Sequence, residues 1–152
     1  MIMSEAAEEK PVLQLNRVIA APRERVFAAW TTAEAIKVWF GPESCRVLDA
    51  QVDLRVGGEY CFQLSTEQLG EIRVSGRYQE VTPPDKLVYT WQWEGNPELA
   101  TGSSLVSVEF IPAGVSTEIR LTHEQLPSIE SRDDHGHGWS GTLDKLEKYL
   151  VS

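Results

Sequence analysis

From Cys45 onward, apolar and polar side chains alternate with a period of two. Tyr60, Phe62 and Leu64 alternate with Glu59, Cys61 and Gln63, and Ile72, Val74, Gly76 and Tyr78 with Arg73, Ser75, Arg77 and Gln79. Leu87, Tyr89, Trp91 and Trp93 alternate with Val88, Thr90 and Gln92. Val106, Val108 and Phe110 alternate with Ser107 and Glu109, and Thr117, Ile119, Leu121 and His123 with Glu118, Arg120 and Thr122. Successive side chains of a strand point to opposite faces, so each run, with Cys45 to Val52 ahead of them, predicts a strand with one buried face. Gly57-Gly58, Glu67 to Gly70, Pro83-Pro84-Asp85, Glu94 to Gly102 and Pro112-Ala113-Gly114 separate these runs as turns and loops. Ahead of them, Val12 to Ala20 predicts a first strand, and Arg23 to Trp30 and Thr32 to Phe40 two short helices. Pro22 suits the first turn of one, and Thr31 with Glu34 has the spacing of a capping box for the other, which Gly41-Pro42 ends.

The C-terminal segment, Ser128 to Ser152, changes period. Trp139, Leu143, Leu146 and Leu150 fall on one face of a 3.6-residue repeat. Asp133 and Asp134 in the first turn and Lys145 and Lys148 in later turns match the helix dipole, and Ser131 with Asp134 has capping-box spacing. Gly136, Gly138 and Gly141 lie in its N-terminal half, each costing about 1 kcal/mol against alanine inside a helix. That cost points to close backbone approach or to space, and the expectation is that this half of the helix borders a cavity. A sheet with one buried face needs a cover, and a helix of roughly 20 residues spans about 30 Å, long enough to supply it. The predicted fold is therefore α+β. A curved antiparallel sheet of six to seven strands wraps a long C-terminal helix, with two short helices after the first strand.

A chain of 152 residues predicts one domain, here 11–152, behind a polar, acidic leader over 1–10. The formal net charge of -9 argues against nucleic acid or an anionic membrane surface as partner. No apolar run approaches the ~20 residues that span a bilayer. The N-terminus lacks the basic and apolar regions of a signal peptide, so the expected location is the cytoplasm. Two cysteines, Cys45 and Cys61, are too few for a disulfide framework and are expected as free thiols.

The spaced residues also resemble a known family. R-V-I-x-A-P runs from Arg17 to Pro22, V-F-x-A-W from Val26 to Trp30, W-F-G-P from Trp39 to Pro42 and D-L-R-x-G-G from Asp53 to Gly58. G-x-Y-x-E-V spans Gly76 to Val81, T-x-I-x-L-T-H begins at Thr117, and G-W-x-x-x-L-D-K-L spans Gly138 to Leu146. In order and spacing these resemble the single-domain bacterial relatives of the activator of the Hsp-ninety chaperone ATPase, within the START-like (SRPBCC) superfamily. The resemblance implies a helix-grip fold with a cavity between sheet and helix. It carries no catalytic set. Relatives in the superfamily cyclise or aromatise polyketides, and the eukaryotic co-chaperone acts on a chaperone, so both remain alternatives to plain ligand binding.

Candidate chemistry follows the inward faces. Trp39, Phe40, Tyr60, Phe62, Tyr78, Tyr89, Trp91, Trp93, Phe110, His123, Trp139 and Leu143 are expected to line the cavity, whose occupant would be a small apolar or aromatic molecule. The competing expectation is a solid aromatic core. His123, at the end of an inward strand and near Trp139, is a candidate base or ligand handle, although a lone histidine on an apolar face is more often a satisfied core residue. The segment Asp133 to Gly138 (DDHGHG) holds two carboxylates and two imidazoles. His135 and His137 point apart on a helix, so a solvated helix start is expected there rather than a metal site. Neither cysteine has an activating neighbour, and no nucleophile-elbow, phosphate-loop or dinucleotide motif is present. No cofactor, metal or catalytic residue is assigned.

Overall fold

The computed structural model describes residues 11–97 and 102–151. The 1–10 leader, residues 98–101 of the predicted loop and Ser152 lie outside them. The elements are β1 (Leu13–Ile19), α1 (Arg23–Thr31), α2 (Ala33–Trp39), β2 (Cys45–Val52), β3 (Glu59–Thr66), β4 (Gly70–Thr82), β5 (Lys86–Glu94), β6 (Ser103–Ala113), β7 (Ser116–Glu124) and α3 (Ile129–Val151). Every predicted strand and helix is present. The seven strands form one antiparallel sheet in the order β1-β7-β6-β5-β4-β3-β2. β2 through β7 pair in chain order as a meander, and β1 pairs with β7, setting Leu13 opposite His123. Among the described residues no helix is long and apolar enough to cross a membrane.

The helix starts differ from expectation. Thr31 and Thr32 turn their hydroxyls back to donate to the Phe27 and Ala28 carbonyls, at 2.8 and 2.6 Å, so no capping box opens α2. For α3 the cap is Ser128, whose Oγ accepts from the Ser131 N–H at 3.0 Å. The helix thus begins three residues earlier than a Ser131 cap would place it, and Asp133 and Asp134 fall in its second turn.

Two of the motifs meet in the sheet. The Gly57 N–H donates to the Tyr78 carbonyl at 2.8 Å, and the Tyr78 N–H to the Gly58 carbonyl at 2.9 Å. A β-carbon on Gly58 would lie 2.1 Å from the Asp53 carbonyl oxygen, and one on Gly76 would lie 1.9 Å from that of Thr90. The β4–β5 register slips between Tyr78 and Glu80. Such a bulge bends a strand and increases its twist, so these glycines permit the tight curl of the sheet.

Helix α3 lies in the curl and approaches most closely at β1 and α2. Arg17 of β1 pairs with Asp144 at 2.9 Å and Glu147 at 3.4 Å across that contact. Two of its three glycines have close neighbours. A β-carbon on Gly136 would meet Leu13 Cδ1 at 3.3 Å, and one on Gly141 would meet Pro42 Cβ at 3.1 Å. One on Gly138 would meet nothing within 4 Å. The helix runs through all three without a break. Trp139, Leu143, Leu146 and Leu150 are buried together, as their spacing required.

A closed aromatic interior and a tryptophan–histidine cavity

All twelve residues assigned to the cavity wall point into the sheet–helix interface. Eleven are buried and Trp93 is half-buried. They do not enclose one common space. Over β3, β4 and β5 the rings of Trp30, Trp39, Phe40, Tyr60, Phe62, Tyr78 and Tyr89 pack against one another with ring centroids mostly 5–6 Å apart. The space left among them is about 10 Å³. That is at most room for one water, against roughly 300–1,000 Å³ for a drug-sized ligand. The polar tips of Trp30, Trp39, Tyr60 and Tyr89 are paired internally. The Trp30 indole N–H donates to Tyr89 Oη at 3.1 Å, that of Trp39 to the Ala29 carbonyl at 2.9 Å, and the Tyr60 hydroxyl to the Thr90 carbonyl. Burial pushes the Tyr60, Tyr78 and Tyr89 hydroxyls well above the usual phenol range. This part of the interface is the solid core that the aromatic set equally allowed. Phe110 extends it by packing edge-on to Phe27 and Trp30.

The other end is built differently. Trp91 and Trp93 of β5, His123 of β7, and His135 and Trp139 of α3 form one cluster. The two imidazoles lie 4.8 Å apart, and the rings of Trp91 and Trp139 5.3 Å apart. The Trp139 N–H donates to His123 Nδ1 at 3.1 Å, which leaves the ring proton on Nε2, 2.7 Å from Ser104 Oγ. The Ser104 hydroxyl then faces the Trp91 carbonyl at 3.4 Å. His135 holds the opposite tautomer. Its Nδ1 is 2.7 Å from the Ser131 carbonyl, and its Nε2 accepts from the Trp93 N–H at 3.1 Å. Burial, with the adjacent His135 adding to it, holds His123 down at about 3. His135 is also held below the ordinary histidine value by burial, against the opposing pull of the Ser131 carbonyl and Asp134. Both imidazoles are thus neutral and fully engaged, and His123 is a satisfied core residue with no free nitrogen to act as a base.

His135 corrects the expectation of a solvated helix start. His137 is exposed, but His135 points inward. The signal was present, because His135 lies four residues before Trp139 and so continues the Trp139–Leu150 face by one turn. Ser104 was missed likewise, though it stands two residues before Val106 on the same strand face and opposite Trp91 in the register.

A cavity of about 80 Å³, partly open to solvent, adjoins the cluster. Trp91, Trp93, Ser103, Ser104, Gln125 and His135 are among its walls. Among the described residues Gln125 is the one non-glycine with a left-handed backbone, φ 65°. The Trp91 indole N–H is fully buried and has no hydrogen-bond partner, alone in this among the described side chains. A larger concavity of about 530 Å³, between Glu43 and the outer side of α3, is an open groove walled by exposed charges of both signs and holds no such group.

Among the described residues no three His, Cys, Asp or Glu side chains are placed to share a metal ion. Cys45 and Cys61 are unpaired, and burial raises both thiols, Lys145 opposing for Cys45 and Arg73 for Cys61, so neither is poised as a thiolate.

The family model described as "Activator of Hsp90 ATPase homolog 1-like protein" matches residues 20–151. The chain belongs to this family. The AHSA1 protein of Silicibacter pomeroyi is similar in structure, with a TM-score of 0.82 and 27% identity over 93% of this chain and 98% of that one. A protein of Chromobacterium violaceum gives 0.80 and 26% over 93% and 99%. One of Nitrosomonas europaea gives 0.77 and 27% over 91% and 93%. A comparison with curated protein sequences finds no match. The helix-grip architecture is common to this chain and its structural relatives, and the glycine pair meeting Tyr78 is part of how this chain builds it.

Proposed function

We propose that this AHSA1-family domain binds a small molecule at the tryptophan–histidine end of its sheet–helix interface, not within the aromatic middle. The observation that carries this reading is the partly open cavity of about 80 Å³ walled by indole faces and by polar edges of Ser103, Ser104 and Gln125. Aromatic walls with a few fixed polar groups are the usual make-up of small-molecule sites. Affinity comes from apolar area removed from water, at about 25 cal/mol per Å², less the cost of ordering the ligand. At this volume the cavity admits one end of a small apolar or aromatic molecule, and the remainder lies along the exposed rim at Gln125 and Pro127.

Amide NMR titration with fatty acids, flavonoids, polyketide-like aromatics and steroids tests the reading. Saturable shifts are expected at Trp91, Trp93, Ser104 and His135. Shifts confined to Trp39, Phe62 and Tyr78 would move the site to the middle, and no saturable shift with any compound would sink the proposal.

Family membership favours a second reading, a protein-interaction module that engages a chaperone. It predicts a complex with purified Hsp90 that survives substitution of the cavity wall, for example Ser104→Leu. The cyclase or aromatase reading, whose candidate acid/base groups are His123, Tyr60 and Tyr78, has the least support, because His123 has both nitrogens committed and burial holds both phenols protonated.

A further inference from the structure

We propose that the hydrogen bond from Trp93 to His135 is a proton-sensitive latch. One proton on His135 releases the end of β5 from the start of α3 and opens the cavity wall that these two rings share, while the aromatic middle stays closed. The latch belongs to the cluster itself, with or without a ligand in the cavity. The tautomer of His135 sets the chemistry. Its Nδ1 lies 2.7 Å from the Ser131 carbonyl, which can only accept, so the ring's one proton sits there. Nε2 is left to accept the Trp93 indole N–H at 3.1 Å. A second proton has only Nε2 to go to. Two N–H donors then face each other, and the bond is lost. Trp93 is half-buried, so its N–H passes to water. The Ser131 bond is kept, because Nδ1 carries its proton in both forms. The change therefore falls between α3 and β5 rather than within the helix. Trp93 and His135 both wall the cavity of about 80 Å³, so its enclosure gives way there.

The surroundings decide where the cation goes. β5 presents the rings of Trp93 and Trp91, 6.2 and 6.3 Å away between centroids, just outside the ~6 Å reach of a cation–π contact. β7 presents His123 at 4.8 Å, a neutral ring whose two nitrogens are committed to Trp139 and to Ser104 of β6. Among the described residues no Asp, Glu, Lys or Arg lines the cavity. The charge that attracts the ring is Asp134 of its own helix, which is exposed, so the imidazolium is drawn toward solvent. His135 is half-buried beside a partly open cavity and takes a proton without unfolding, whereas His123 is fully buried. Burial holds His135 below the ordinary histidine value. The latch is therefore closed at neutral pH and released as pH falls from about 6.5 toward that lower value.

A pH titration of the ¹⁵N-labelled full chain, from about 7.5 to 4.5, reads the latch directly. The Trp93 indole proton is expected to shift upfield and to exchange faster with water, at the midpoint shown by the His135 ring signals. The Ser104 and Leu126 amides of the cavity wall should follow it. The Trp39 indole proton and the Leu146 amide should stay in place. In His135→Phe, which offers no lone pair, the Trp93 proton should already sit near its low-pH position at neutral pH and lose its titration. A Trp93 proton that stays put while His135 titrates would overturn the proposal. So would a Trp39 proton that moves at the same midpoint, because release would then be one concerted unfolding. A His135 ring that takes no proton before the chain unfolds would overturn it too. All three are read in the unaltered chain, so a His135→Phe variant that fails to fold would not remove the test.

Discussion

Trp39 and Trp93 both carry an indole N–H into the sheet–helix interface, and the two ends of that interface treat it differently. Trp39 is almost fully buried, and its N–H ends on a backbone carbonyl ten residues earlier, in the neighbouring helix α1. Around it, phenols and indoles serve one another, and about 10 Å³ is left over. Trp93 is half-buried, and its N–H ends on an imidazole 42 residues later, at the start of α3. Around it stand two neutral histidines, a serine, an unpaired donor and about 80 Å³. Aromatic content alone does not make a pocket. Rings of matched size and internally paired polar tips close the space, whereas imidazoles, which need a donor on one side and an acceptor on the other, hold rings in place without filling it.

Four measurements break or sharpen this contrast. The largest effect is expected from Trp39→Ala, which should cost about 3–5 kcal/mol in urea unfolding, since it opens a cavity in a closed region. Trp93→Ala should cost less than half as much. Equal losses would show that the two ends are packed alike. Next, His123→Leu should cost about 1–3 kcal/mol, because the buried Trp139 N–H loses its acceptor in a site that leucine otherwise fills. A neutral or stabilised variant would mean that the imidazole bridge is dispensable.

Third is acidification. His123 and His135 have folded-state values below the unfolded value, His123 at about 3. Below an unfolded-state value near 6.5 the unfolded chain therefore binds protons that the native chain refuses. Their contribution is fully present above about pH 7 and falls as pH drops from about 6.5 toward the native values, by up to about 1.4 kcal/mol per pH unit for each histidine. Unfolding midpoints taken at pH 7.5, 6 and 5 should decline in the wild type and decline less in His123→Leu. A flat profile would count against neutral burial of the pair. The smallest effect is on α3, where Gly138→Ala should stabilise by up to about 1 kcal/mol because its β-carbon meets open space. Gly141→Ala, against Pro42 at 3.1 Å, should gain less or lose. If the two gain equally, the packing of α3 on the Pro42 turn is looser than described.

The sheet was readable because period-two alternation is local, and each strand declares its buried face within nine or so residues, as Leu87 to Trp93 do. The Trp139–Leu150 face of α3 was readable for the same reason. The glycines left two readings open. Their helical cost was visible, but whether it reflected a cavity or close approach depended on Leu13 and Pro42, more than a hundred and about a hundred residues away in the chain. The assigned wall residues all reached the interface, yet the pattern could not divide them into a filled half and an open half. That division turns on tens of Å³ and on side-chain geometry in a close-packed interior.

By itself, then, the chain's order of residues determined the elements, their buried faces and the aromatic character of the interior, since each follows from spacing along the backbone, while its motifs carried the resemblance to the family. The tertiary structure decided which rings close on one another, that His135 turns inward to meet Trp93, and that the Trp91 N–H is left without a partner. Those outcomes depend on where side chains from β5, β6, β7 and α3 meet in space, and hydrogen bonding imposes its angular and distance demands only once they have met.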